Sequence, residues 1–304
     1  MWSLLLNTNT GWVLLSTTML GIAAGAIGCL AYWKKQNLMS DALSHAALPG
    51  VVITFLIFQE KNLLLLVIGA GISALIGALL IQWITTSSRI SEDAAMGMIL
   101  SVFYGLGIML LSIASRSSGG NQSGLDNFIF GQAAAMVRSD IRTMMMLAVI
   151  VILTVVIGFK EWKIYLFDQS FANSIGLPLK AMNTLYTFVL VVTIVIGIQA
   201  VGVILMAAIL IIPAVSARYW THSFKCMLII SSIFGAFSGA IGTLISAQGR
   251  GWPTGPFIVV VAASFFIFSL VFGKEKGLLI HYLHRQNQSK QYRVNQLPIK
   301  GAIK

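Results

Sequence analysis

From about residue 11 to residue 273 the chain is a succession of apolar runs, each near the roughly 20 residues that a helix needs to cross a bilayer. The runs fall at about 11–33, 40–58, 62–84, 94–114, 141–159, 182–198, 200–217, 226–247 and 255–273. With 57% hydrophobic and only 10% charged residues in 304 positions, the composition lies outside the range of soluble domains. The expected fold is all-α, a polytopic transmembrane helical bundle of about eight or nine spans. The count turns on the stretch from Thr184 to Ala217, which reads as two short helices or one helix broken near Gly197 and Gly202. The first run lacks the basic flank and small-residue cleavage pattern of a removable signal, so it is expected to stay as a helix.

The net charge of +11 is spread one or two residues at a time between the apolar runs, which argues for membrane orientation and against nucleic acid as a partner. Placing Lys34 and Lys35 in the cytoplasm sets the other loops by alternation. Arg89, Lys160, Lys163, Lys180, Arg218, Lys225 and the basic tail then lie inside, and Lys61, Arg116, Arg138, Arg142 and Arg250 outside. The expected topology is amino terminus out and carboxyl terminus in. Cys29 and Cys226 sit in or beside apolar runs and are too few for a disulfide framework or a thiolate metal site. Three connections are more than turns. Residues 115–140 start as a polar Gly/Ser loop and read as a lid, a docking surface or a plain long loop. Residues 160–181 suggest a short helix ended by Gly176, with Pro178 beyond it, too polar to span and placed to act as a lever toward a cytoplasmic partner. Residues 247–256, dense in Gly and Pro, read as a tight external turn.

Within "SDALSHAALPG", Asp41 and His45 are four residues apart and share a helix face. Ionisable groups at membrane depth normally face a partner or a water-filled path. One reading makes Asp41 a helix cap, with His45 bonding a neighbouring helix. The other makes the pair part of a metal or proton path, since carboxylate and imidazole together suit divalent first-row metals. One pair supplies two ligands, and a symmetric pair of subunits would supply four. Glu92 and Asp93 suit the start of a helix, Asp126 and Asp140 read as solvated, and the His281/His284 pair belongs to a solvated tail. Ser44 beside His45 is no dyad, because adjacent helical side chains diverge. The chain lacks a phosphate-binding loop and an H-E-x-x-H motif. It is therefore not expected to hydrolyse ATP itself or to be an enzyme.

The blocks "LMSDALSHAALPGVVITFL", "SGLDNFIFGQAAAM", "FANSIGLPLKAMNTLYTFVLVVTIVIGIQAVGVILMAAILIIPAVSARYW" and "GTLISAQGRGWPTGPFIVVVAASFFIFSLVF" resemble the metal-ion permeases of ABC importers, the manganese/zinc/iron family. The resemblance runs from about residue 10 to 273. It implies a permease domain of type II importer architecture over residues 1–273, followed by a basic cytoplasmic tail at 274–304, in the bacterial cytoplasmic (inner) membrane. It also implies a second permease protomer, identical or a sister, two cytoplasmic ABC ATPase subunits and an extracytoplasmic metal-binding protein that delivers the ion. On this resemblance Asp41 and His45 coordinate the transported manganese, zinc or iron, with no permanently bound cofactor. The "FANSIGLP" block resembles the helix that couples to the ATPase, which assigns that role to Asp168, Ser170, Ala172, Ile175, Gly176, Leu177 and Pro178. A proton-coupled secondary cation transporter, with Asp41 and His45 as a relay, is the alternative, and a non-transporting scaffold is a third reading.

Overall fold

The computed structural model of the protein describes residues 8–59, 63–117, 131, 133, 136, 138–249 and 252–279. Eleven helices of four residues or more are found among them: α1 (Thr8–Trp33), α2 (Asn37–Phe58), α3 (Leu63–Ser87), α4 (Glu92–Ser117), α5 (Arg138–Ile157), α6 (Phe159–Phe167), α7 (Gln169–Ser174), α8 (Leu179–Val201), α9 (Val203–Arg218), α10 (Phe224–Ser246) and α11 (Thr254–Phe272). No strand occurs among the described residues. Eight of the helices are long and apolar enough to cross a membrane, and α9 is shorter. This is the expected polytopic bundle.

Helices dominate because hydrocarbon offers no water to backbone N–H and C=O groups, and an α-helix bonds nearly all of its own. Apolar side chains then face outward as readily as inward, as Trp83, Met109 and Ile157 do. Since lipid is as apolar as leucine, helices are joined by close packing between small residues and by short hydrogen bonds. The seam between α1 and α10 is built this way. Thr17, Gly21 and Gly25 recur every four residues on α1, facing Ser231, Gly235 and Gly239 on α10. A Cβ at Gly21 would collide with the carbonyl of Gly235, and one at Gly239 with the carbonyl of Thr17. The close approach lets Ser231 Oγ donate to the Gly25 carbonyl at 2.7 Å and Thr243 Oγ1 to Thr17 Oγ1 at 2.8 Å.

A second close contact sets α2 against α3. Gly50 faces the Gly69 carbonyl, and Ser73 Oγ donates to the Ala46 carbonyl at 2.6 Å. On its other side α2 packs against α4, whose own outward face carries Gly97, Ser101 and Gly105. The long apolar stretch after residue 178 is two helices. The break falls at Gly202, whose φ of 96° is a conformation that L side chains rarely adopt. Gly197 lies inside α8 and admits Met206 of α9 beside it. Gly131, also at positive φ, packs against the backbone of residues 200–202.

Placing a methyl group in the α1–α10 seam is expected to destabilise the bundle. Overpacking costs about 1–3 kcal/mol, so Gly235→Ala should lower the melting temperature of the detergent-purified protein by roughly 2–10 °C. Gly71→Ala, at a position whose Cβ meets nothing within 4 Å, should leave it unchanged.

Candidate functional site

Helix α2 begins at Asn37, so Asp41 and His45 stand in its second and third turns. Asp41 is therefore not the cap; that position belongs to Gln36. At 1.5 Å per residue the pair lies about 6–12 Å along α2 from its junction with the Lys34–Lys35 turn. His45 Nε2 is 3.5 Å from Asp41 Oδ1, longer than a good charge-assisted hydrogen bond. With metal–ligand bonds of about 2.1 Å, two donor atoms at that separation subtend about 110° at a shared ion, close to a tetrahedral angle.

Burial of the two groups is unequal. The His45 side chain is 13% exposed and that of Asp41 36%. The imidazole packs edge-on against Tyr104 of α4, with ring centroids 4.8 Å apart, and its Nδ1 is buried without a hydrogen-bond partner. Tyr104 was not legible in the sequence, because only the packing of α2 on α4 brings it beside His45. Pro49 has no N–H to offer the His45 carbonyl, which frees that oxygen from the helical ladder. Ser44 donates to the Ser40 carbonyl at 2.7 Å and Ser40 to the Asn37 carbonyl at 3.0 Å, so both hydroxyls serve their own helix. Among the described residues no third His, Cys, Asp or Glu joins the pair.

A cavity of about 880 Å³ lies elsewhere, between α3, α5 and α8. Its walls are apolar apart from Ser139, Asp140 and Thr143, and neither Asp41 nor His45 lines it. Asp140 sits in the first turn of α5 and accepts from Gln199 of α8 at 3.4 Å. Glu92 and Asp93 occupy the first turn of α4, as the helix dipole favours. Asp126, His281 and His284 lie outside the described residues, as does most of the 115–140 connection.

The segment between α5 and α8 is two short helices, not the one expected. Asp168 separates them and caps the second, accepting from the Phe171 N–H at 2.8 Å. Ala172 is fully buried, and its carbonyl accepts from the Leu177 N–H at 3.0 Å. Gly176 makes the following turn at φ 81°, and Pro178 caps α8. Ser170 and Ile175 are exposed, and Phe171, which the sequence reading passed over, is exposed by 52%. An ordered helix thus presents Phe171 and Ile175 to solvent between two apolar spans.

Eight helices long and apolar enough to cross a membrane, one of them carrying an acid–imidazole pair and two of them flanking a capped, exposed short helix, define a multi-span membrane protein. The chain matches the ABC 3 transport family over residues 7–273, and it belongs to that family. It is 43% identical over 278 residues to the manganese transport system membrane protein MntC of Bacillus subtilis, covering 91% of this chain and 64% of that protein. It is 38% identical over 277 residues to the zinc transport system membrane protein TroC of Treponema pallidum, covering 91% of this chain and 93% of that one. Among solved structures, PsaBC from Streptococcus pneumoniae in complex with a Fab superposes with a TM-score of 0.78 at 32% identity, covering 90% of this chain and 95% of that one.

Losing the Asp168 cap is worth about 1 kcal/mol, or roughly fivefold in local opening. Asp168→Ala should therefore speed hydrogen exchange about fivefold at the amides of α7 and leave those of α1 and α10 unchanged.

Proposed function

We propose that this protein is the membrane-spanning permease subunit of an ATP-driven importer of divalent transition-metal ions, manganese, zinc or iron. The observation that carries the reading is the Asp41–His45 pair, 3.5 Å apart on one face of a membrane-depth helix and accompanied by no other ligand from the described part of the chain. Half a site of this kind is completed by the same pair from a second permease protomer, giving four ligands across an axis. Two or four ligands with water kept on the metal bind an ion weakly enough to let it go, as transport requires.

Membership of the ABC 3 family supports an ATP-driven mechanism, and no observation favours the proton-coupled alternative. The chain itself has no phosphate-binding loop, so hydrolysis falls to cytoplasmic ABC ATPase subunits. Helix α7 serves as their docking element. Asp168 and Gly176 hold its two ends, Ala172 anchors it, and Phe171 with Ile175 meets the ATPase alongside Ser170, Leu177 and Pro178. An extracytoplasmic metal-binding protein delivers the ion on the opposite face. The orientation follows the basic residues, with the Lys34–Lys35 turn, α6, α7 and the 274–304 tail in the cytoplasm. Residues 1–273 form the permease domain, in a bacterial cytoplasmic membrane.

The test is elemental analysis of cells lacking their own manganese and zinc importers, supplied with this permease and its ATPase and binding protein. The wild type should accumulate one metal, and His45→Ala or Asp41→Asn should reduce that accumulation about tenfold or more at equal membrane abundance. Accumulation that survives both substitutions would remove the pair from the path. Accumulation that persists without the ATPase would overturn the ATP-driven reading.

A further inference from the structure

A polar cluster that the transport reading does not use lies at the end of the bundle where α1 turns into α2. Lys34, in that turn, is partly buried and extends its Nζ over the ring of Tyr186 on α8, 4.1 Å from the centroid. The same ammonium donates to Asn183 Oδ1 at 2.5 Å, and the Tyr165 hydroxyl of α6 donates to that oxygen at 3.2 Å. One amide oxygen thus ties together the α1–α2 turn, α8 and the segment preceding α7. Two residues further on, Gln36 donates to the carboxylate of Glu92 in the first turn of α4. Burial pushes the Lys34 ammonium down to about 8, opposed by the charge of Glu92. Burial, and then Glu92, also raises Tyr165, which keeps its phenol a donor.

The surrounding packing joins the same elements. Trp33, at the end of α1, packs on Phe167 at 4.7 Å between ring centroids, and Phe167 packs in turn on Phe224 of α10 at 5.9 Å. Only residues 34–36 separate α1 from α2, and Lys35 holds this turn at a φ of 61°. A shift of Lys34 therefore reaches α2 directly and α4 through Gln36. These are the two helices that carry Asp41, His45 and Tyr104.

We propose that Lys34, Asn183 and Tyr165 form the joint that transmits movement of the α6–α7 segment to α2, which carries Asp41 and His45, and to α4 packed beside it, with Lys34 as its positioning residue. The inference rests on the transport reading. A joint of this kind governs how much transport each turnover yields, and it touches neither nucleotide nor metal.

The experiment uses the full complex of permease, ATPase and binding protein in liposomes. It measures ions accumulated per ATP hydrolysed, with whichever of manganese(II) or zinc(II) the wild type accumulates. Lys34→Met and Tyr165→Phe should assemble and hydrolyse ATP within about twofold of wild type, while ions moved per ATP fall about tenfold. Lys34→Arg, which keeps a cation and its donors, should restore the ratio. A merely structural role would lower assembly, uptake and hydrolysis together and leave the ratio unchanged, which would overturn the proposal. So would failure of the Arg variant to differ from the Met variant. If Lys34→Met does not assemble, the ratio for Tyr165→Phe, which removes one oxygen, decides. A wild-type complex with no ATP-dependent uptake would sink the transport reading instead.

Discussion

Hydrocarbon leaves backbone amides no bonding partner outside the protein, and the rest of this structure answers that constraint. Helices satisfy it individually, but the hydrophobic effect then does little to hold them to one another. What joins α1 to α10 is the absence of side chains at Gly21, Gly25, Gly235 and Gly239, which brings carbonyls of one helix within reach of hydroxyls of the other. The same solution recurs between α2 and α3 at Gly50 and Gly69.

The site is a compromise between solvation and access. A carboxylate and an imidazole at membrane depth are tolerated when they have a partner or a wet path. Here each has the other at 3.5 Å, and Asp41 keeps part of its surface open. Tyr104 closes one side of His45, and Pro49 loosens the helix one turn beyond. A pair held so incompletely is consistent with the proposed role, in which the cargo must leave again. The polar cluster around Lys34 is packed on the opposite principle, with its hydrogen bonds spent inside the bundle. The near end of α2 is thereby fastened to α6 and α8.

How much of this was legible in the sequence depends on the range of the interaction. The spans were readable because each is a contiguous run, and the Asp41–His45 pair because four residues along a helix make one face. The capped end at Asp168 went unread, since a single short helix and two helices around an aspartate have nearly the same hydropathy. The choice between Gly197 and Gly202 for the break was also open. It was decided by Met206 packing beside Gly197 and by the positive φ that Gly202, of the two, adopts.

By itself the sequence determined what every local rule can reach: a membrane bundle of about eight or nine spans, one acid–imidazole face, and a short helix ended by Gly176 and Pro178. Tertiary structure decided which distant residues share a neighbourhood. It set Tyr104 against His45, brought Asn183 and Tyr165 to Lys34, and gave Glu92 to Gln36. The reason is physical. A helix face is written in four-residue steps, whereas the contacts between helices depend on how closely small residues let their backbones approach, and that distance is a property of the packed bundle.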